Sequence, residues 1–467
     1  MDENPLNLHE ERLATTDASG KRVYLYPEDI KGKWRTRRNY FYYALIALYL
    51  ILPWTHVGGK QTILLDLIKR EFTFFGTTFF GHDAPILIFV FLGFVFTIGF
   101  ITSIWGRVWC GWACPQTVFI DAIYQKIEIL VEGNARKRKK LDQAPWSMSK
   151  VIKKIIKWIL FTLASMHIAH SFIGYFVGAR ELIDITLQSP FTNPILFGAT
   201  WTATLILLFD FGWFKEQFCL IACPYGRFQS VMMDQNSMVI AYDNQRGEPR
   251  RKKGQDKDEH ADCVDCLACV RACPTGIDIR RGTQLECIAC TNCIDACDDI
   301  MRRTNRPEGL IRYASELSLE GKEVKHITPR NIIYLLACIA IFAGLVFKLN
   351  SAGDLDVVLL RGSKTPFTVA KTAHTETVIN HFKLNFDYQG SEFDSLYMEL
   401  DGKPNVKLVT PRNPVKIKKG MSKANVFMRF SKEELTEGSK IVILNLINPK
   451  TKKIETKIEV KLVGPAH

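Results

Sequence analysis

Two stretches of the chain carry cysteines at a spacing suited to redox chemistry. Residues 263–274 read CVDCLACVRACP and residues 287–298 read CIACTNCIDACD. Both follow C-x2-C-x2-C-x3-C. In such a run three thiolates from a tight loop take three irons of one [4Fe–4S] cubane, and the fourth cysteine ligates the other cluster. The spacing therefore assigns Cys263, Cys266, Cys269 and Cys297 to one cluster and Cys287, Cys290, Cys293 and Cys273 to a second. Pro274 supplies the turn expected after the first run. Asp298 stands in its place after the second, which weakens the turn but not the ligand set. Two structural zinc sites are the competing reading, since C-x2-C pairs also bind zinc. Zinc sites use separated pairs, whereas these are two runs of four ending in an x3 step, which favours clusters. Such a pair relays single electrons. Cluster potentials span about −700 to +450 mV, so spacing leaves the direction of flow open.

Two more cysteine pairs form an internal repeat. An apolar run leads into Trp109-Cys110-Gly111-Trp112-Ala113-Cys114-Pro115, and another into Phe218-Cys219-Leu220-Ile221-Ala222-Cys223-Pro224. On a regular helix, i and i+4 would put both sulfurs of a pair on one face. That geometry serves a disulfide poorly, whereas thiolates select Cu(I), zinc or iron–sulfur species. The repeat leads us to expect the pairs facing each other at the cytoplasmic interface, as a four-thiolate redox or copper site. Small buried hydrophobes are the plainer alternative. His167 and His170 lie inside an apolar segment and are candidates for ligating a metal or taking a proton from quinol. The alternative is a packed, hydrogen-bonded histidine, and a haem would want a histidine on a facing helix. Asp210 is a similar candidate beside the plainer reading of an interfacial carboxylate. Cys338 reads as a packing residue.

The elements that must position these groups are membrane helices. Five segments, near 40–58, 84–105, 155–178, 195–214 and 331–349, are apolar over about the 20 residues a span requires. Lys153, Lys154 and Lys157 lead into the third and are expected at the headgroups. The tail before the first span holds eight Lys/Arg and the segment 215–330 eighteen, against three and one in the loops after spans one and three. The positive-inside bias places the N-terminus, the loop after span two and the 215–330 segment in the cytoplasm, and the C-terminal part outside. The net charge of +13 sits beside hydrophobic spans, the pattern of cytoplasmic loops, so nucleic acid is not an expected partner. Arg136–Lys140 and Arg250–Lys253 are expected to meet anionic lipid. Of thirteen cysteines, twelve are clustered, which excludes a secreted disulfide framework. The first residues, MDENPLNLHEERLATTDASGKR, have no apolar core, so no cleavable signal is expected. Beyond about residue 351 alternating runs such as Asn425-Val426-Phe427-Met428-Arg429-Phe430 predict about seven strands and a cysteine-free β-sandwich.

With these motifs at 110–115, 219–224, 263–274 and 287–297, the chain resembles the CcoG/FixG (RdxA-like) family of cytochrome c oxidase accessory proteins over essentially its whole length. The resemblance implies a membrane α-helical protein of five transmembrane helices, with a dicluster bacterial-ferredoxin-like insert and a C-terminal immunoglobulin-like β-sandwich. The expected segments are a cytoplasmic tail (1–39), a four-helix domain with both CxxxCP motifs (40–225), a cytoplasmic 2x[4Fe–4S] domain (226–330), a fifth helix (331–350) and a periplasmic domain (351–467). The location implied is the bacterial inner membrane. The function implied is assembly of cbb3-type cytochrome oxidase, with reduction of Cu(II) to Cu(I) during copper delivery. The eight ferredoxin cysteines would relay electrons, and Cys110, Cys114, Cys219 and Cys223 would bind or reduce copper. Partners implied are membrane lipid, oxidase subunits or copper-delivery proteins, and an unidentified electron donor. Two alternatives stand beside this: a quinol-oxidising membrane ferredoxin similar to NapH and NosR, and a non-catalytic assembly scaffold.

Overall fold

The computed structural model describes residues 15–465 apart from 17–18, 20, 68–70, 81–83, 189, 251–260, 326, 351–354, 363–364, 373–374, 389–393, 403–404, 418–419 and 436–437. Residues 1–14, 17–18 and 20 of the tail expected over 1–39, and the 251–253 part of one basic run, lie outside the described residues. The chain divides into two units, Met1–Gly344 and Leu345–His467.

The first unit opens with α1 (Lys33–Ile51) and a 3-10 turn, Leu52–Trp54. Small strands follow: β1 (His56–Val57) pairs with β2 (Lys60–Gln61), and β3 (Ile63–Asp66), β4 (Glu71–Phe74) and β5 (Thr77–Phe80) form a three-stranded sheet. Next come α2 (Ala84–Trp105), α3 (Val108–Trp112), α4 (Pro115–Phe119), α5 (Gln125–Glu132) and α6 (Ala135–Gln143). α7 (Met148–Val177), α8 (Ala179–Leu187) and α9 (Pro194–Leu207) follow, α9 running on as a π-helical turn to Phe214. Another π-helical turn, Phe218–Ala222, precedes α10 (Pro224–Met232). The cysteine-rich lobe contains β6 (Val239–Tyr242), α11 (Asn244–Gly247), α12 (Ala268–Ala272), α13 (Asn292–Arg303), β7 (Ile311–Ala314) and α14 (Glu316–Leu319). α15 (Pro329–Asn350) closes the series of helices.

Among the described residues four helices are long and apolar enough to cross a membrane: Ile86–Trp105, Met148–Val177, Pro194–Phe214 and Pro329–Lys348. They present large apolar side chains outward, among them Ile88, Phe91 and Phe94 on α2 and Ile333, Leu336 and Phe342 on α15. Such continuous exposed apolar faces suit lipid rather than water. The span expected over 40–58 falls on α1, which is not among the four. Lys33, Arg35, Arg37 and Arg38 occupy its first turns. The rest of the helix is about 20 Å long at 1.5 Å per residue, short of the roughly 30 Å of a hydrocarbon core.

The second unit contains nine strands among the described residues: β8 (Leu355–Arg361), β9 (Thr368–Thr372), β10 (Thr375–Tyr388), β11 (Ser395–Leu400), β12 (Val406–Val409), β13 (Val415–Lys416), β14 (Gly420–Ser431), β15 (Ser439–Ile447) and β16 (Ile454–Val463). One antiparallel sheet runs β12-β14-β10-β8 with β9 on β10, and the other runs β13-β11-β15-β16. The period-two alternation puts Phe382, Leu384, Val426 and Met428 of the first sheet into one core with Leu396, Leu444, Leu446 and Val460 of the second. Each such side chain contributes about 1.5–3 kcal/mol on burial. Asn380, fully buried in β10, links the sheets: its amide donates to Val463 O and accepts from Val463 N, both at 2.8 Å.

Candidate iron–sulfur and thiolate sites

In the cysteine-rich lobe β6 and β7 form an antiparallel pair, Val239↔Ala314 to Tyr242↔Ile311. Ile240, Ile277, Ile279, Ile294, Met301 and Leu310 pack with the cysteine loops into one small core. The two loops share an uncommon backbone. Asp265 and Leu267 flank Cys266 with φ of 51° and 57°, and Ala289 and Thr291 flank Cys290 with φ of 53° and 65°. Left-handed non-glycine residues are uncommon. Here they recur at equivalent places, curling the chain so that successive N–H groups make the concave nest that suits anionic iron–sulfur groups. The amide of Ala289 donates to Cys287 and that of Asn292 to Cys290. After Cys273 the chain turns extended into Pro274, whereas α13 continues through Cys297 to Arg303. Proline would break that helix. Asp298 leaves it intact and accepts a hydrogen bond from Gly309 N at 2.9 Å.

Cys263, Cys266, Cys269 and Cys297 line one cavity. Cys273, Cys287, Cys290 and Cys293 line a second, which Cys269 also borders. The fourth cysteine of each run thus faces the other run's three. Among the described residues, no three His, Cys, Asp or Glu side chains close on a single-ion position. A zinc site would draw its sulfurs to about 2.3 Å from one point. Sulfurs spread around a cavity, with amides aimed at them, fit a cubane better. Burial pushes the Cys269 and Cys287 thiols up to about 12. Free thiols here stay protonated at neutral pH, and iron binding must release those protons.

The two CxxxCP segments also share a conformation, though not the regular helix expected. α2 ends at Gly106 (φ 56°), where a side chain would strike Met238 O, and the Pro194–Phe214 helix ends at Lys215 (φ 51°). Four residues on, Cys110 sits in α3 and Cys219 in the π-helical turn. The second cysteines are extended, Cys114 at φ −63°, ψ 125° and Cys223 at φ −73°, ψ 111°. The following prolines cause the break. Pro disfavours the helical region for the residue before it and begins a new helix readily. The sulfurs of a pair therefore do not share one regular helix face.

Reciprocal contacts draw the two turns together. Gln116, after Pro115, donates to Asp210 at 3.0 Å and to Lys215 O at 3.3 Å. Tyr225, after Pro224, bonds Thr102 of α2 at 2.7 Å. Arg107 donates to Gln229 Oε1 (2.5 Å) and Gly226 O (2.5 Å) on α10. Gln229, fully buried, then turns its Nε2 to Cys110 Sγ at 3.1 Å. The four sulfurs come within electrostatic reach of one another. Burial first, then Cys114, Cys110 and Cys223, raise the Cys219 thiol, and burial pushes Cys110 up to about 11.

The same turns abut the lobe. Arg107 Nη1 reaches Leu285 O and, at 3.1 Å, Cys287 O. A Cβ on Gly111 would lie 2.4 Å from Ala289 O, so only glycine permits this approach. Tyr42 donates to Gly111 O, and Trp112 donates to Tyr313 of β7 at 3.2 Å. Beneath, buried Asp121 accepts from Arg35 and Arg38 (2.8 Å), and Arg38 also donates to Asn292 at 2.8 Å. Burial alone would raise the Asp121 carboxyl, but Arg38 and Arg35 hold it below its usual range. A cavity bordered by Cys219, Glu216, Asp121, Thr275 and Cys290 lies between turn and lobe. Arg107, Gly111, Gln229, Tyr42 and Asp121 escaped the sequence reading. A glycine inside a cysteine motif and an arginine just before it were the available signals.

Other candidates stand apart. His170 bonds Met166 O (2.9 Å) and Thr186 (3.3 Å), the packed alternative, and His167 is exposed. His170 lies about 20 Å along α7 from Lys157. The lysines of α7 do not all turn to headgroups. Lys154 and Lys157 pair with Glu132 at 2.8 and 2.9 Å, and Lys154 also with Asp142. In the Arg136–Lys140 run, Arg138 is buried against Glu128 at 2.7 Å, and its four neighbours are exposed. A cation at the edge of an apolar helix bundle takes a carboxylate where one is in reach. Cys338 is half-buried in α15.

These features define an iron–sulfur electron-transfer protein of the membrane. Residues 214–316 match a 4Fe-4S dicluster domain and residues 86–138 a 4Fe-4S binding domain. The chain is 35% identical to protein RdxB of Cereibacter sphaeroides over 438 residues, 85% of this chain and 88% of that one. It is 36% identical to nitrogen fixation protein FixG of Rhizobium meliloti over 75% and 74% of the two chains. To protein RdxA of Cereibacter sphaeroides it is 37% identical over 66% of each. The chain belongs to the CcoG/FixG family. A crystal structure of a FixG-related protein from Vibrio parahaemolyticus aligns over 24% of this chain and 97% of its own, with 11% identity and a TM-score of 0.20.

Proposed function

We propose that this protein is a cupric reductase of the inner membrane that serves the assembly of a cbb3-type cytochrome oxidase. When bound, the two clusters carry single electrons, and the acceptor is Cu(II), reduced to Cu(I) as a reduced cluster loses one electron. The observation that carries this reading is the contact of Gly111 with Ala289 O, which sets the first CxxxCP turn against the second cysteine loop. Cys263, Cys266, Cys269 and Cys297, whose Cys266 is exposed, would hold the cluster nearer the donor. Cys273, Cys287, Cys290 and Cys293 would hold the cluster that passes electrons toward Cys110, Cys114, Cys219 and Cys223. A one-electron carrier suits a one-electron reduction.

In this reading α1, too short alone, is lengthened by Leu52–Trp54 and the residues after it into a crossing ahead of the four long helices, which makes five and leaves 331–350 as the last. The lobe (226–330) then faces the cytoplasm and the sandwich (351–467), immunoglobulin-like in this reading, the periplasm. There it meets oxidase subunits or copper-delivery proteins. The electron donor is a separate carrier on the cytoplasmic side. Stopped-flow mixing of the reduced full-length protein with Cu(II) tests the reading: the cluster absorbance should return in step with Cu(I) formation. Clusters that ignore Cu(II) but are reduced by a quinol would replace it with the NapH-like reading. Clusters inert to both, in a protein still needed for oxidase assembly, would leave a scaffold.

A further inference from the structure

The stretch 86–138 matches a 4Fe-4S binding domain yet contains only two cysteines, Cys110 and Cys114. Two thiolates do not complete a cubane, which takes four. The repeat supplies the other two. Gln116, Tyr225 and Arg107 bind each turn to the opposite half, and Gly226 approaches Cys219 O so closely that a Cβ would lie 3.0 Å from it. We infer that Cys110, Cys114, Cys219 and Cys223 together hold a third [4Fe–4S] cluster, two ligands from each half of the repeat.

Three observations favour a cluster over a single copper or zinc ion. The four sulfurs are near neighbours but, like the two ferredoxin sets, do not close on a single-ion position. The amide two residues after a cysteine donates to its sulfur in the ferredoxin loops, Ala289 to Cys287 and Asn292 to Cys290, and Gln116 does the same for Cys114. Gln229 adds a donor: its Oε1 accepts from Arg107 at 2.5 Å, and its Nε2 donates to Cys110 Sγ at 3.1 Å, closer than the 3.6 Å between that sulfur and Oε1. Donors to sulfur stabilise an anionic cluster and tune its potential. The inference rests on the proposed function only in placing these thiolates on the electron path, and it stands on its own as a cofactor assignment.

The test is anaerobic purification of the full chain in detergent, with counts of iron, acid-labile sulfide, copper and zinc and EPR of the dithionite-reduced protein. About twelve irons per chain and three integrating signals are expected. The double variant Cys110→Ser/Cys219→Ser should fall to about eight irons with both ferredoxin signals intact, which also shows that it folds. About eight irons in the wild type, with copper or zinc on the thiolates, would overturn the inference, as would an iron count the double variant leaves unchanged. If that variant does not fold, the wild-type count and spin integration decide between three clusters and two. Eight irons with clusters still reoxidised by Cu(II) would sink the third cluster alone. Twelve irons without that reoxidation would sink the copper reading alone.

Discussion

The ferredoxin loops gather two sets of four sulfurs and the CxxxCP turns one, by opposite means. In the loops every ligand lies between Cys263 and Cys297, and local backbone does the aiming through paired left-handed residues beside Cys266 and Cys290. In the turns the sulfurs come from distant halves of a repeat, and buried Arg107, Gln229 and Gln116 with half-buried Tyr225 bring them together. A site written in local spacing depends on its metal for rigidity. A site written in tertiary contacts depends on packing and loses its geometry when one contact goes.

The sharpest break in that comparison is removal of a ligand from the lobe. Cys290→Ser should cost about four irons and leave the lobe open to protease, because a small core filled by a metal group draws its folding free energy from the metal. Limited proteolysis with an iron count checks it. A variant that kept both clusters and a protected lobe would show that the loop backbone holds the site without Cys290.

Asp121→Asn comes next, on the packing side. It would leave buried Arg38 without its carboxylate and buried Arg35 with only Asp29, 3.7 Å away, to face. Breaking a buried ion pair by removing one partner costs about 3–5 kcal/mol, so a large fall in thermal midpoint is expected with iron content little changed at low temperature. The sign with pH follows from the depressed carboxyl. The contribution is complete above the ordinary carboxylate range and fades only as pH falls through the lowered folded value. The deficit of the variant should therefore be flat across neutral pH. A deficit that grew between mildly acidic and neutral pH would point to another group.

Gly111→Ala tests the seam between the regions. Its Cβ would sit 2.4 Å from Ala289 O, an overlap with backbone that must push the turn from the loop. Overpacking of this kind costs about 1–3 kcal/mol. Both ferredoxin clusters should remain loaded while their reoxidation by Cu(II) slows. An unchanged rate would mean electrons leave the lobe elsewhere.

The same contrast explains what the sequence could and could not disclose. Eight cysteine positions and the pairing of Cys273 and Cys297 with the opposite runs follow from spacing, because the loops are short enough for spacing to dictate geometry. The period-two alternation of Val426, Met428 and Phe430 likewise foretold a sheet face. The extended conformation at Cys114 and Cys223 was also legible in principle, since Pro115 and Pro224 impose it, but an i, i+4 reading overlooked the prolines. Arg138, Lys154 and Lys157 looked like lipid-facing cations because their partners, Glu128 and Glu132, are carboxylates whose proximity only the folded bundle creates. Gln229 had no signal at all: a lone glutamine acquires its role from Arg107, more than a hundred residues away.

That glutamine gives the smallest and most specific prediction. Its Nε2 donates to Cys110 Sγ at 3.1 Å, and Arg107 fixes the orientation of the amide. Gln229→Leu keeps the volume and removes the donor. A hydrogen bond to a charged group is worth about 1.5–3 kcal/mol, but only its difference between two oxidation states moves a potential. With about 59 mV for each tenfold change in a one-electron equilibrium, a shift of a few tens of mV is expected. The donor favours the more negative, reduced state, so its loss should lower the potential of the centre that Cys110 ligates. The ferredoxin potentials, set by the lobe's own amides, should stay where they are. Redox titration followed by EPR separates the two. A shift shared equally by every centre would mean that Gln229 acts through the packing of Arg107 against the lobe, and the sulfur donor would then have no role of its own.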